Sequence, residues 1–301
     1  MKKQKLLPSS RAILVIFLLI PAPFVFSAGG ETISGYLDWE NMVINAEVRL
    51  NLRNTGISMP SGRALAEERL FSEYFSNIQP FLQSIPVDSS SVLGDFVERG
   101  ELSPEMLDGL AFEAVMTPPS ISLDFQTIRA SYKITLSEVS SALIRHRRAG
   151  EFYSIVNPAP AASYTGVVII ADSELPIHGR NSAAHLIPCL FPKIWDTEMN
   201  LIFDKTLTDP AIYDSKTMVH YFNAEHIFRK TPSSLSPEIQ KIVGDKPIRI
   251  IARGVFGITA TDPIIDSADA LLLLSAEQNR ALLRQGRVVI ITSEAVLKRE
   301  L

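Results

Sequence analysis

Cysteine is nearly absent: Cys189 stands alone in 301 residues. That excludes a disulfide framework within the chain and a multi-cysteine zinc site. Ile187, Pro188, Leu190 and Phe191 flank it, the surroundings of a buried structural thiol rather than of a nucleophile. A basic excess is missing as well. Lys plus Arg is 29 and Asp plus Glu is 33, a formal net charge of −4, which argues against a general binder of phosphate backbones. The aromatics fall at core spacing, with no basic–aromatic stripe for single-stranded nucleic acid. No G-x-S-x-G, G-x-G-x-x-G, Walker-type glycine loop, H-E-x-x-H or EF-hand loop occurs. What is present is a globular composition: 46% hydrophobic and 21% charged residues, too apolar for disorder. The length suits two domains.

The first residues read as an export signal. Lys2, Lys3, Lys5 and Arg11 form a basic start, 12–20 (AILVIFLLI) is apolar, and Pro21 and Pro23 break it before Ser27 and Ala28. As a helix the apolar run would reach about 14 Å, against ~30 Å for a bilayer core. Cleavage after Ser27 leaves Val25 and Ser27 in the small-residue pockets, whereas cleavage after Ala28 would place bulky Phe26 there. Residues 1–27 are therefore expected to be a signal peptide. No cysteine lies near the site, which excludes lipid attachment there. Losing this segment removes four basic residues and no acidic one, so the exported chain is the more acidic, which favours solubility over adsorption to anionic membranes.

The body divides near residue 150. In 39–52, Ile44, Ala46, Val48, Leu50 and Leu52 share one strand face. Apolar residues from Ala64 to Ile78 recur at helical spacing, predicting an amphipathic helix over 61–79 that stops before Pro80. Ser103 and Pro104 start a further helix reaching about Met116, as cap and first position. Ile121, Leu123 and Phe125 alternate in a strand over 120–130, and 132–139 continues it or pairs with it. This is a small α+β unit over 36–145. The basic step 145–150 (RHRRAG) and the proline–alanine stretch 157–162 place a linker at 146–162. The second unit, 163–301, holds a buried strand around Val167–Ile170, a hairpin over 192–203, short strands at 219–222, 247–254 and 287–292, and a helix within 267–284 ended by Gly286. The fold class expected is α+β: two small domains, each a mainly antiparallel sheet with packed helices.

YTGVVIIAD (164–172), PKIWD (192–196), VHYF (219–222), KPIRIIARGVFG (246–257), TDPIIDSADALLLL (261–274) and GRVVIIT (286–292) stand in an order that resembles a group of exported bacterial envelope proteins. These pair such a module with an upstream domain. Residues 36–144 are similar in pattern to that domain, which is like the twenty-kilodalton outer-membrane lipoprotein family and is also found in the flagellar assembly protein T. The resemblance implies a non-catalytic protein of the envelope or flagellum and supplies no catalytic residues. The chain departs from it in having no lipidation cysteine, and in carrying His178, Gly179 and Arg180 in a stretch expected to be plainer.

Candidate chemistry is sparse. His146, His178, His185, His220 and His226 include no pair with ligand spacing on a firm element. With Asp172 or Asp196 they would suit zinc, but separate surface or hydrogen-bonded histidines fit the spacing better. Asp262, Asp266 and Asp269 fit a turn and a helix start better than a glycosidase pair. Lys246, Arg249 and Arg253 surround one strand, where two arginines would present a small anion site or a solvated face; the solvated face is preferred. Serines at 89–91 and 232–236 have no base beside them. The last four residues, KREL, resemble an endoplasmic-reticulum retrieval signal, or form the basic end of a terminal helix. The expectation is therefore a periplasmic protein with no catalytic, cofactor or metal residues, acting by contact with envelope or flagellar proteins. It would bind no nucleic acid and have no membrane span after cleavage. The alternative is a secreted metal-dependent hydrolase using a His/Asp site.

Overall fold

A computed structural model describes residues 31–153, 155, 158–228 and 235–300. The expected signal peptide, 1–27, lies outside the described residues. The first domain runs β1 (Glu31–Asp38), β2 (Val43–Asn51), α1 (Arg63–Gln83), α2 (Leu93–Glu98), α3 (Pro104–Phe112), β3 (Val115–Met116), β4 (Ser120–Ile121), β5 (Thr127–Thr135) and α4 (Leu136–Leu143). Its strands are antiparallel, with β2 paired along its whole length to β1 on one side and β5 on the other. Alternation decides which face packs: Ile44, Ala46, Val48 and Leu50 of β2 and Ile128, Ala130, Tyr132 and Ile134 of β5 are buried. Helix α1 lays Ala66, Leu70, Tyr74 and Ile78 against them, and the Tyr74 and Tyr132 rings stack with centroids 3.8 Å apart.

Several boundaries differ from expectation. Helix α1 passes through Pro80 to Gln83. A proline in the last turn forfeits one backbone bond, and burial of Phe81, Leu82 and Ile85 outweighs it. Ser103 caps α3 by accepting from the Met106 N–H, as expected, but α3 ends at Phe112 and Val115–Met116 become a strand. The strand expected over 120–130 is split by a turn at 122–126, and the next stretch extends β5 only to Thr135. There a capping box with Glu138 starts α4.

The second domain comprises β6 (Val167–Ile170), β7 (Leu175–Pro176), β8 (Ala183–Ala184), β9 (Ile194–Asp196), β10 (Leu201–Phe203), β11 (His220–Phe222), α5 (Glu225–Phe228), α6 (Pro237–Val243), β12 (Ile248–Ile251), β13 (Gly254–Phe256), β14 (Asp262–Ile265), α7 (Ser267–Ser275), α8 (Glu277–Arg284), β15 (Val288–Ile291) and α9 (Glu294–Leu297). The hairpin expected over 192–203 is β9–β10. The chain is α+β as expected, with antiparallel pairing in both domains: in the second, β9 pairs so with β10, β13 with β14 and β7 with β8. One of its two four-stranded sheets, in the order β11-β15-β6-β12, is parallel throughout. The physical reason is burial on both faces. Val167, Ile169, Val288 and Ile290 face the main core, while Val168, Val289 and Ile291 face a second cluster with Ile239 and Val243. Strands covered on both sides read as unbroken apolar runs, as both VVII segments do. The helix expected over 267–284 is two, α7 and α8. The buried Asn279 amide reaches the carbonyls of Ala162 and Leu272, and its oxygen accepts from the Tyr164 N–H.

The last strand, β16 (Lys298–Glu300), leaves the second domain and pairs antiparallel with β1, Tyr36 opposite Glu300 and Asp38 opposite Lys298. The expected basic helix end is thus a strand of the first domain's sheet. A single apolar core runs through both domains. The loop after α1 seals them: the N–H groups of Leu190 and Phe191 donate to Pro86 and Val87, and that of Thr259 donates to Ser89. Described residues of the expected linker, 146–162, are held against the second domain. Gly150 donates to the Thr206 carbonyl, and the Ala159 N–H to the Ser275 hydroxyl.

Gly257 (φ 121°) sits where an added Cβ would lie 2.4 Å from Ser89 Cβ and from the Thr259 carbonyl oxygen. Gly257→Ala is expected to destabilise by roughly 2 kcal/mol or more in urea unfolding. Gly109→Ala, where α3 leaves open space around the Cβ, should stabilise by about 0.5–1 kcal/mol. Equal effects would contradict the close approach at Ser89.

Candidate functional site: the cleft between the domains

The five histidines are dispersed. His146 bonds the Thr208 carbonyl at 2.9 Å. His178 lies beside Phe256, ring centroids 6.0 Å apart. His185 has a buried Nδ1 without a hydrogen-bond partner. Asp172 is exposed, and Asp196 uses its carboxylate to accept from the N–H groups of Glu198 and Asn200 and from the Asn200 amide in the β9–β10 turn. Among the described residues no three His, Cys, Asp or Glu side chains meet as metal ligands would.

The acidic group 262–269 divides by position. Asp266 caps α7, accepting from the Ala268 N–H, and faces Arg253 at 3.5 Å. Asp262, expected in a turn, is fully buried in β14. It accepts from the Lys193 N–H, the Trp195 indole and the Thr261 hydroxyl, with Ser89 of the first domain also bonded to it. Burial pushes this carboxyl up, and those donors pull it back. Cys189 is buried, as expected, and burial pushes its thiol well up, with Asp262's charge adding to the effect. Arg249, Ile251 and Arg253 form an exposed face, the solvated arrangement preferred from the sequence.

Polar side chains from the second domain meet the first domain at a cleft of about 460 Å³. One wall is the β1–β2 turn, Glu40 to Val43, with Lys133, Thr135 and Ser137 from β5 and α4; the other includes Lys216, His220 and Glu238. At its edge Glu40 Oε1 lies 2.5 Å from His226 Nε2, and His226 Nδ1 lies 3.1 Å from the Ser236 hydroxyl. The Glu–His–Ser order resembles a nucleophile relay, yet Ser236 is 1% exposed and caps α6 by accepting from the Ile239 N–H. The arrangement clasps the β1–β2 turn to the start of α6. Nothing in the sequence pointed to Glu40 or Ser236, because each acts on a histidine brought near only by folding.

His220 is pushed down to about 4, first by burial and then by the Lys216 ammonium. An unfolded histidine titrates near ~6.5. Above that pH the ring imposes no cost on folding. Between there and its folded value the unfolded chain binds the proton and the folded chain does not. Stability should therefore fall across that window, by about 3 kcal/mol at its lower end. His220→Asn should lose less stability than the parent between pH 7 and pH ~4.5 in urea titrations; equal losses would contradict the assignment.

A second feature lies on the free edge of the first-domain sheet. In the turn between β4 and β5, Leu123 is fully exposed and Phe125 is 58% exposed with φ 58°. Val115 and Met116 are exposed on β3, which pairs with the same edge of β5 as β4 does, and Phe112 is exposed at the end of α3. Bulky residues rarely adopt a left-handed backbone, and its cost persists at positions that serve a contact.

A search of curated proteins returns no match. Family models do match, and they divide the chain where the fold divides. Residues 32–142 match the N-terminal domain of Tp0624 from Treponema pallidum, and residues 166–294 match the second domain of that protein. The chain is thus a two-domain protein similar, in order, to the N-terminal and second domains of Tp0624.

Proposed function

We propose that this protein is a non-catalytic component of the bacterial periplasm that assembles or stabilises an envelope or flagellar structure by protein–protein contact. The observation that carries the reading is the apolar edge of the first domain, with Leu123 and Phe125 held out at its tip. Exposed apolar side chains along one edge are the mark of a surface made to be covered. The export-like segment 1–27 and the resemblance of 36–144 to the lipoprotein-like domain, also found in the flagellar assembly protein T, support the compartment. Among the described residues no helix is long and apolar enough to cross a membrane. The metal-hydrolase alternative requires histidines that converge on one metal ion, whereas His226 is held by Glu40 and Ser236, and His146 by Thr208.

The test is co-isolation from cross-linked native envelopes, comparing the parent chain with a Leu123→Ser, Phe125→Ser variant. Both side chains are exposed, so the melting temperature should hold. Recovery of the envelope partner should fall more than about tenfold, equivalent to ~1.4 kcal/mol. Undiminished recovery with the variant would overturn the reading, as would an unattached monomer whose deletion leaves envelope and motility normal.

A further inference from the structure

The interdomain cleft carries an inference independent of the apolar edge. Its opposed walls each contribute a lysine, Lys133 on β5 and Lys216 before β11. Neither ammonium forms an ion pair among the described residues. The carboxylates that line the cleft are already engaged. Glu40 lies against His226, and Glu238, half-exposed at the rim, faces the same imidazole at 3.9 Å. Hydroxyls also line the cleft. Those of Thr135 and Ser137 are 3.1 Å apart at the start of α4, where the Glu138 carboxylate caps the first turn by accepting from the Thr135 N–H. On the other wall His220 carries a buried Nε2 without a partner.

We propose that this cleft is a binding site for a small ligand bearing a phosphate or carboxylate group, held between Lys133 and Lys216 so that it bridges the two domains. Several features converge on negative charge. Two unpaired ammonium groups on facing walls attract an anion, hydroxyl donors complete its hydrogen bonds, and the cleft volume suits a small molecule. Burial, with the Lys216 ammonium adding to it, lowers the His220 pKa, and the ligand's charge would offset the ammonium's part. His220 would then titrate at a higher pH with the ligand bound. Because one lysine comes from each domain, neither domain alone presents the site.

The test uses the full chain, with inorganic phosphate in one arm and acetate in the other. Ionic strength is held constant with sodium chloride. Binding is read by calorimetric titration and by the His220 imidazole signals, assigned with His220→Asn. The expected result is saturable binding in at least one arm, with the His220 titration moved upward. Lys133→Met and Lys216→Met, both exposed and away from the core, should each weaken that binding about tenfold, ~1.4 kcal/mol. Arg148→Gln, outside the cleft, should leave it unchanged. Saturation only with phosphate assigns a phosphate ligand, and only with acetate a carboxylate. No saturable binding in either arm would overturn the site. So would binding that survives either lysine substitution.

Discussion

The whole arrangement depends on β16 pairing with β1. A chain that has built a complete second domain returns to add its last strand to the first domain's sheet, Leu37 opposite Arg299. The Trp39 N–H donates to the Leu297 carbonyl at the same crossing, and the Arg299 guanidinium reaches the Ser84 carbonyl. These contacts join residues far apart in sequence, so they form only once both domains stand in place. Their closure entropy grows slowly with the length of the loop they close, and the apolar core continuing across the junction offsets it. The result is one body with two sequence-distinct halves.

That closure gives the interface its chemistry. Lys205 places its ammonium 5.4 Å from the Phe96 ring centroid of the first domain and 5.0 Å from that of Phe191 in the second. Burial lowers its pKa, while Asp88, Glu101 and Asp204 oppose that fall. A partly desolvated cation between two rings contributes about 1–2 kcal/mol. Trp39 meets Tyr221 edge to face at 5.8 Å, and the Tyr221 hydroxyl donates to the Cys189 carbonyl. Asp262, buried beside Ser89, is affordable because several donors are aimed at it. The interface is specified by polar groups that pair only in one register and filled by apolar ones that would accept many. The same junction that locks the domains leaves the cleft between Lys133 and Lys216 open.

Much of this order was legible in the sequence, for local reasons. The alternation of Ile44, Ala46, Val48 and Leu50 specified β2 and its buried face, because pleated strands turn successive side chains to opposite sides. Ser103–Pro104 specified the start of α3 through cap chemistry that needs no partner elsewhere. The two VVII runs were readable as buried strands, but their parallel pairing was not, since direction depends on which neighbours arrive in the sheet. Asp262 next to Pro263 reads as a turn until Ser89 and Trp195 converge on it. Of the site, the histidines were visible as residue types whose spacing fitted separate positions, but the partners that hold them were not. Glu40, Lys133 and Lys216 are ordinary surface charges in one dimension, and only the docking of the domains gives them a shared wall.

The central claim is that the two domains behave as a single mechanical unit, joined by the last strand and the shared core. Scanning calorimetry of the full chain tests it most directly. The account predicts one transition whose calorimetric and van't Hoff enthalpies agree, and a lower melting temperature when residues 298–300 are deleted. Two separately melting transitions in the parent chain, unchanged by that deletion, would contradict it.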